Sequence, residues 1–145
     1  MLSDLTIIIP TYKRTQYLYR ILSYYSSFKK FDFTILVLDS SPKNFHKDAS
    51  FDKFYNKKII FYNFDPKITF WSKISKSAKF IKTKYCVLIP DDDFLIPKSL
   101  NKCVDFLEKN KDYVSAHGYY YNHTLIKTNN KKKFKLLEIY KNNGS

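Results

Sequence analysis

Glycine is scarce in this sequence: 145 residues include two glycines and five prolines. A many-stranded, turn-rich all-β fold uses both residues at its turns, so the scarcity argues against that class. No Gly-rich phosphate loop is present, which removes P-loop and dinucleotide-binding readings. The two cysteines, Cys86 and Cys103, show neither metal-ligand spacing nor a disulfide pattern, and both read as core thiols. No Ser/His/Asp or Cys/His arrangement marks a covalent nucleophile. No apolar run is long enough to span a bilayer, and the N-terminus lacks the basic and apolar regions of a signal peptide. The expectation is a cytoplasmic protein, at most peripheral to a membrane.

What is present suits one ordered domain. Hydrophobic residues make up 44% and aromatics 19%, enough for a real core. Lysine and arginine number 26 against 13 acids, a net charge of +13. Such a balance attracts anionic partners when it is clustered. Here the lysines are scattered through every segment, which speaks against a nucleic-acid face. The one run, Lys131-Lys132-Lys133, reads as a solvated turn.

Short apolar runs alternate with longer amphipathic segments. The first, Leu5 to Ile9, is β-branched and stops at Pro10; Leu18, Ile21, Leu22 and Tyr25 then recur at helical spacing. The second, Phe33 to Leu38, ends on the turn signal Asp39-Ser40-Ser41-Pro42. Residues 43–57 read as a loop packed on the body through Phe45, Phe51 and Phe54. The third run is Lys58 to Tyr62, followed by Phe70, Ile74, Ala78 and Ile81 at helical spacing. The fourth, Tyr85 to Ile89, ends at Pro90-Asp91-Asp92-Asp93. Pro97 then opens a helix striped by Leu100, Cys103, Val104 and Leu107. Val114 to Ala116 reads as a fifth strand, and residues 119–145 as two strand-like pieces flanking a turn at Asn129-Asn130. Continuous apolar strands are those buried on both faces, so the expectation is a Rossmann-like α/β fold with a mostly parallel sheet and flanking helices.

Ligands of such sheets bind at the carboxyl ends of the strands. Three ends carry polar chemistry: Thr11-Tyr12-Lys13-Arg14, Asp39, and Asp91 to Asp93. Three adjacent carboxylates repel one another, and a hard divalent cation such as Mg2+ or Mn2+ relieves that repulsion while leaving positions for phosphate oxygens. The competing reading is a solvated loop at a helix start. Asp39 suits either a nucleobase or ribose contact or an ordinary Asx turn. Arg14 suits a phosphate or a solvated first turn, and Tyr12 suits base stacking or partial burial. His117 reads as a hydrogen-bonded strand histidine; His46 and His123 lie in polar segments.

Taken in order, these segments resemble family 2 glycosyltransferases of the GT-A fold, over roughly residues 5 to 118. Ile8 to Arg14 resembles the family's opening segment, which implies nucleotide contacts from Pro10, Thr11, Tyr12 and Arg14. Val37 to Ser41 resembles its second-strand end, which implies that Asp39 holds the base. Lys82 to Pro97 resembles its Asp-x-Asp segment. Counting back from Pro97, the family's first Asp falls on Pro90, so the resemblance implies Asp92 as the leading metal ligand. Asp91 and Asp93 are nominated beside it, Asp91 also for the nucleotide. The implied cofactor is Mg2+ or Mn2+. The implied reaction is transfer of a sugar, a hexose for instance, with inversion, from a nucleotide diphosphate sugar to a glycan or lipid-linked acceptor, as in polysaccharide synthesis.

The family's acceptor site and catalytic base lie beyond the matched region, and no acid in the tail, Glu138 included, matches that motif. The expected organisation is therefore a nucleotide-sugar-binding domain over residues 1–118 and a truncated start of the acceptor side over 119–145. The competing function is a nucleotide-binding module without transfer activity.

Overall fold

Four of the apolar runs become neighbouring strands. The computed structural model describes residues 2–29, 32–42, 49–55, 58–128 and 131–140, with side chains through residue 121. Phe45, His46, Asn129-Asn130 and the side chain of His123 lie outside the described residues. Strands β1 (Leu5–Thr11), β2 (Thr34–Asp39), β3 (Ile59–Asn63) and β4 (Tyr85–Leu88) form one all-parallel sheet in the order β3-β2-β1-β4. Between and after them come α1 (Thr15–Ser26), α2 (Phe70–Ser77) and α3 (Pro97–Lys109).

Alternation along the strands sends side chains to both faces, and both are covered at the sheet centre. Ile7, Ile9, Ile35 and Val37 pack with Leu18, Ile21, Leu22 and Tyr25 of α1, and with Leu100 of α3. Ile8, Leu36 and Leu38 face Ile74, Phe80 and Ile81, on α2 and the short 3-10 turn that follows it. Each such side chain stabilises the fold by about 1.5–3 kcal/mol when fully buried. The stripe expected of α1 is buried in full. Phe51 and Phe54, on the 3-10 helix Ala49–Phe54, are buried as the packed loop required.

Four local expectations need correction. Pro10 does not stop β1, which continues to Thr11. The Ile8 carbonyl accepts from Ile89 and the Thr11 carbonyl accepts from Ser40. By that alternation Pro10 faces the β4 side, past the last β4 residue paired with β1, where its missing N–H costs no ladder bond. Cys86 is exposed, not core, because β4 is an edge strand whose Cys86 and Leu88 face is open. Val114 to Ala116 forms no strand: no described strand pairs with it, and Val114 is 98% exposed. Lys131 to Lys133 begin a strand and are not a turn.

Residues 1–105 form one compact unit and residues 106–145 another. The second contains an antiparallel hairpin of β5 (Tyr120–Thr128) and β6 (Lys131–Tyr140), with a register irregularity at Asn122/His123. His117 precedes it in an exposed segment and is not on a strand. Among the described residues, no helix is long and apolar enough to cross a membrane.

Candidate nucleotide and acidic site

β1 has neighbours on both sides, β2 and β4, and the chain reaches them in opposite directions. Such a reversal opens a crevice at the carboxyl ends of the two strands flanking it, here β1 and β4. Thr11 closes β1, and the acidic loop follows β4. The fold therefore brings together residues about 80 positions apart in sequence, as the Thr11–Asp91 separation shows.

Asp91 is 2% exposed. The Thr11 hydroxyl donates to its Oδ2 at 2.7 Å, and Arg14 meets its Oδ1 at 3.0 Å. Burial pushes the Asp91 carboxyl above its ordinary range, while the Thr11 hydrogen bond and Arg14 pull it back. Asp92 is 42% exposed, and Arg14 reaches its Oδ2 at 2.8 Å through its second terminal nitrogen. That charge-assisted hydrogen bond holds Asp92 below the usual carboxylate range. One guanidinium thus spans two adjacent carboxylates. Asp93 is exposed and stands outside this pairing; its N–H only closes a turn onto the Pro90 carbonyl at 3.4 Å.

Helix α1 is the platform for the acidic loop. Arg20 donates to the Asp92 carbonyl at 3.1 Å. The guanidinium of Arg14 lies 4.1 Å from the Tyr17 ring centroid, and that of Arg20 lies 5.0 Å from Tyr17 and 5.2 Å from Phe94. One turn further on, the Leu95 N–H donates to the buried Tyr25 hydroxyl at 3.2 Å. The entry to α1 is tight: Lys13 adopts φ 55°, and its N–H donates to Ser41 Oγ at 2.8 Å. A cleft of about 310 Å³ lined by Lys13, Arg14, Thr15, Gln16 and Tyr17 opens at this helix start.

Asp39 is buried beside Thr11, its register partner, and its Oδ1 accepts the Ser41 N–H at 2.8 Å. Tyr12 is exposed at the same edge. Lys73 joins the two strand ends: its ammonium donates to the Thr11 carbonyl at 3.0 Å and to Ser40 Oγ at 2.9 Å. The structure therefore links Thr11, Arg14, Asp91 and Asp92 directly, and sets Asp39 alongside. Sequence reasoning missed Lys73, Arg20, Tyr17 and Tyr25. The one available signal for Lys73 was its place one residue before Ile74 and four before Ser77, on the true inner face of α2.

A central parallel sheet with helices on both faces and its polar residues at a β1/β4 crevice is the GT-A type of fold. The profile of glycosyl transferase family 2 matches residues 6–144, and the chain belongs to that family. An uncharacterized glycosyltransferase of Methanocaldococcus jannaschii is 24% identical over 116 residues, covering 76% of this chain and 40% of the relative. The crystal structure of S. aureus TarS superimposes with a TM-score of 0.57 at 18% identity, over 73% of this chain and 20% of that one, a likeness of fold. The chain thus spans less than half the length of either.

Proposed function

We propose that this chain forms the donor-binding part of a glycosyltransferase that takes a sugar from a nucleoside diphosphate sugar. The observation that carries the reading is the Thr11–Asp91–Arg14–Asp92 cluster at the β1/β4 crevice of a family 2 member. In this reading Asp39 hydrogen-bonds the base or ribose, and Tyr12 stacks on the ring. Pro10, Thr11 and Asp91 shape the nucleotide pocket, and Arg14 faces the diphosphate.

A divalent cation fits only part of the acidic run. Both Asp91 oxygens already have partners, and among the described residues no three metal-ligating side chains cluster. Mg2+ needs fewer: it typically takes one or two carboxylates, with water and substrate phosphates completing the shell. Asp92 and then Asp93, the exposed members, would hold Mg2+ or Mn2+, with Asp91 as the orienting neighbour. The ion would supply charge neutralisation at the leaving diphosphate. The acceptor in this reading is a glycan or a lipid-linked sugar, whose hydroxyl attacks the donor's anomeric carbon with inversion as the nucleoside diphosphate leaves, and the setting is cytoplasmic with at most peripheral membrane contact. Residues 119–145 begin the acceptor side.

Calorimetry with uridine, guanosine and cytidine diphosphates, with and without Mn2+, tests the reading. Binding strengthened by metal and abolished by removing the carboxylates of Asp91, Asp92 and Asp93 is the expected result. No binding of any nucleoside diphosphate overturns it, and binding that ignores metal overturns the cation site. Sugar transfer and donor hydrolysis by these 145 residues separate the enzyme from the second reading, a nucleotide-binding module that does not turn over.

A further inference from the structure

Lys73 is 4% exposed, and the donor-binding reading gives it no role. A buried ammonium is unfavourable unless anions and hydrogen bonds compensate for lost water. Its surroundings supply both. Two carboxylates, Asp39 at the end of β2 and Asp91 after β4, act on it electrostatically and oppose the lowering of its proton affinity by burial. Its hydrogen bonds go to Thr11, which orients Asp91, and to Ser40, the neighbour of the residue that orients Asp39. Thr11, held through its carbonyl, donates its hydroxyl to Asp91. Ser40, held through its hydroxyl, precedes Ser41, whose N–H donates to Asp39.

We infer that Lys73 is a positioning residue that couples Asp39 to Asp91, so that the end of β2 and the acidic loop after β4 work as one nucleotide site. The inference rests on the nucleotide-sugar reading above. Lys73 sits behind the two strand ends and acts through Thr11 and Ser40. The charge at its tip and the reach of its side chain both matter, because one ammonium must satisfy two strand ends at once.

The test is a double-mutant cycle of Lys73→Met with Asp39→Asn. It is read as affinity for the three nucleoside diphosphates and as urea unfolding, well below the thermal midpoint. Lys73→Met should fold cooperatively and bind roughly tenfold more weakly, as expected for losing a charged hydrogen-bonding partner. Lys73→Arg should recover most of that loss. In an Asp39→Asn background the Lys73→Met effect should shrink to about twofold or less, because coupled sites are non-additive. Should Lys73→Met fail to fold, Lys73→Gln keeps a donor without the charge and takes its place in the cycle. A folded variant with wild-type affinity, or effects that simply multiply, overturns the coupling. If the wild-type protein binds no nucleoside diphosphate, the donor reading fails by itself. The coupling is then decided by the urea midpoints, where non-additivity of Lys73 with Asp39 supports it and additivity refutes it.

Discussion

Replacing Thr11 with valine removes a single hydroxyl while keeping the side-chain shape, so no cavity forms. What is lost is the 2.7 Å hydrogen bond to Asp91 Oδ2, in a place where water cannot substitute because Asp91 is buried. A hydrogen bond to a charged group contributes about 1.5–3 kcal/mol, and the buried acceptor left behind keeps its desolvation cost. The expected loss of stability is therefore about 1.5–3 kcal/mol. For a chain of this size that corresponds to roughly 3–12 °C in Tm. Removing Arg14, whose side chain is 39% exposed, should cost less, because solvent screens its two ion pairs. Urea unfolding of T11V, D91N and the double variant is the assay. In the D91N background the acceptor is neutral, so the T11V loss should fall to about 1 kcal/mol. A T11V midpoint indistinguishable from wild type, or an undiminished loss in D91N, would refute the claim that Thr11 holds a charged Asp91.

Asp91 and Asp92 should titrate in opposite directions from the ordinary value of 3.8, which carbon-detected NMR resolves residue by residue. The stabilisation from Asp92, whose carboxyl is lowered, is present above 3.8 and lost as pH falls through its folded value. Asp91 is raised, so as pH rises from 3.8 through its folded value the unfolded chain gives up the proton first and stability declines. Coincident titration of the two would contradict this site geometry. Tyr25→Phe removes the acceptor for the Leu95 N–H and should cost about 1 kcal/mol, with faster amide exchange at Leu95; unchanged exchange there would show that α1 does not anchor the loop.

Four of the apolar runs and the stripe of α1 were legible because periodicity reports which side of an element faces the core; on α2 the expected Phe70 and Ala78 are exposed, and Lys73 and Ser77 are buried instead. The strands β1 to β4 and the buried face of α1 appear within a residue or two of where the sequence places them. Pro97 opens α3 because a first helical position needs no N–H donor. The three polar strand ends were legible too, since a parallel sheet puts all its carboxyl ends on one edge.

What tertiary structure alone decided is how those ends interact. Arg14 meets Asp91 and Asp92 across 77 and 78 residues because β4 is placed beside β1, and strand order is not written in periodicity. The same placement leaves β4 at an edge, so Cys86 faces out despite its apolar neighbours. Lys73 shows the limit most clearly. By residue type lysine belongs in water, and only the folded chain supplies the carbonyl, hydroxyl and two carboxylates that let its ammonium be buried.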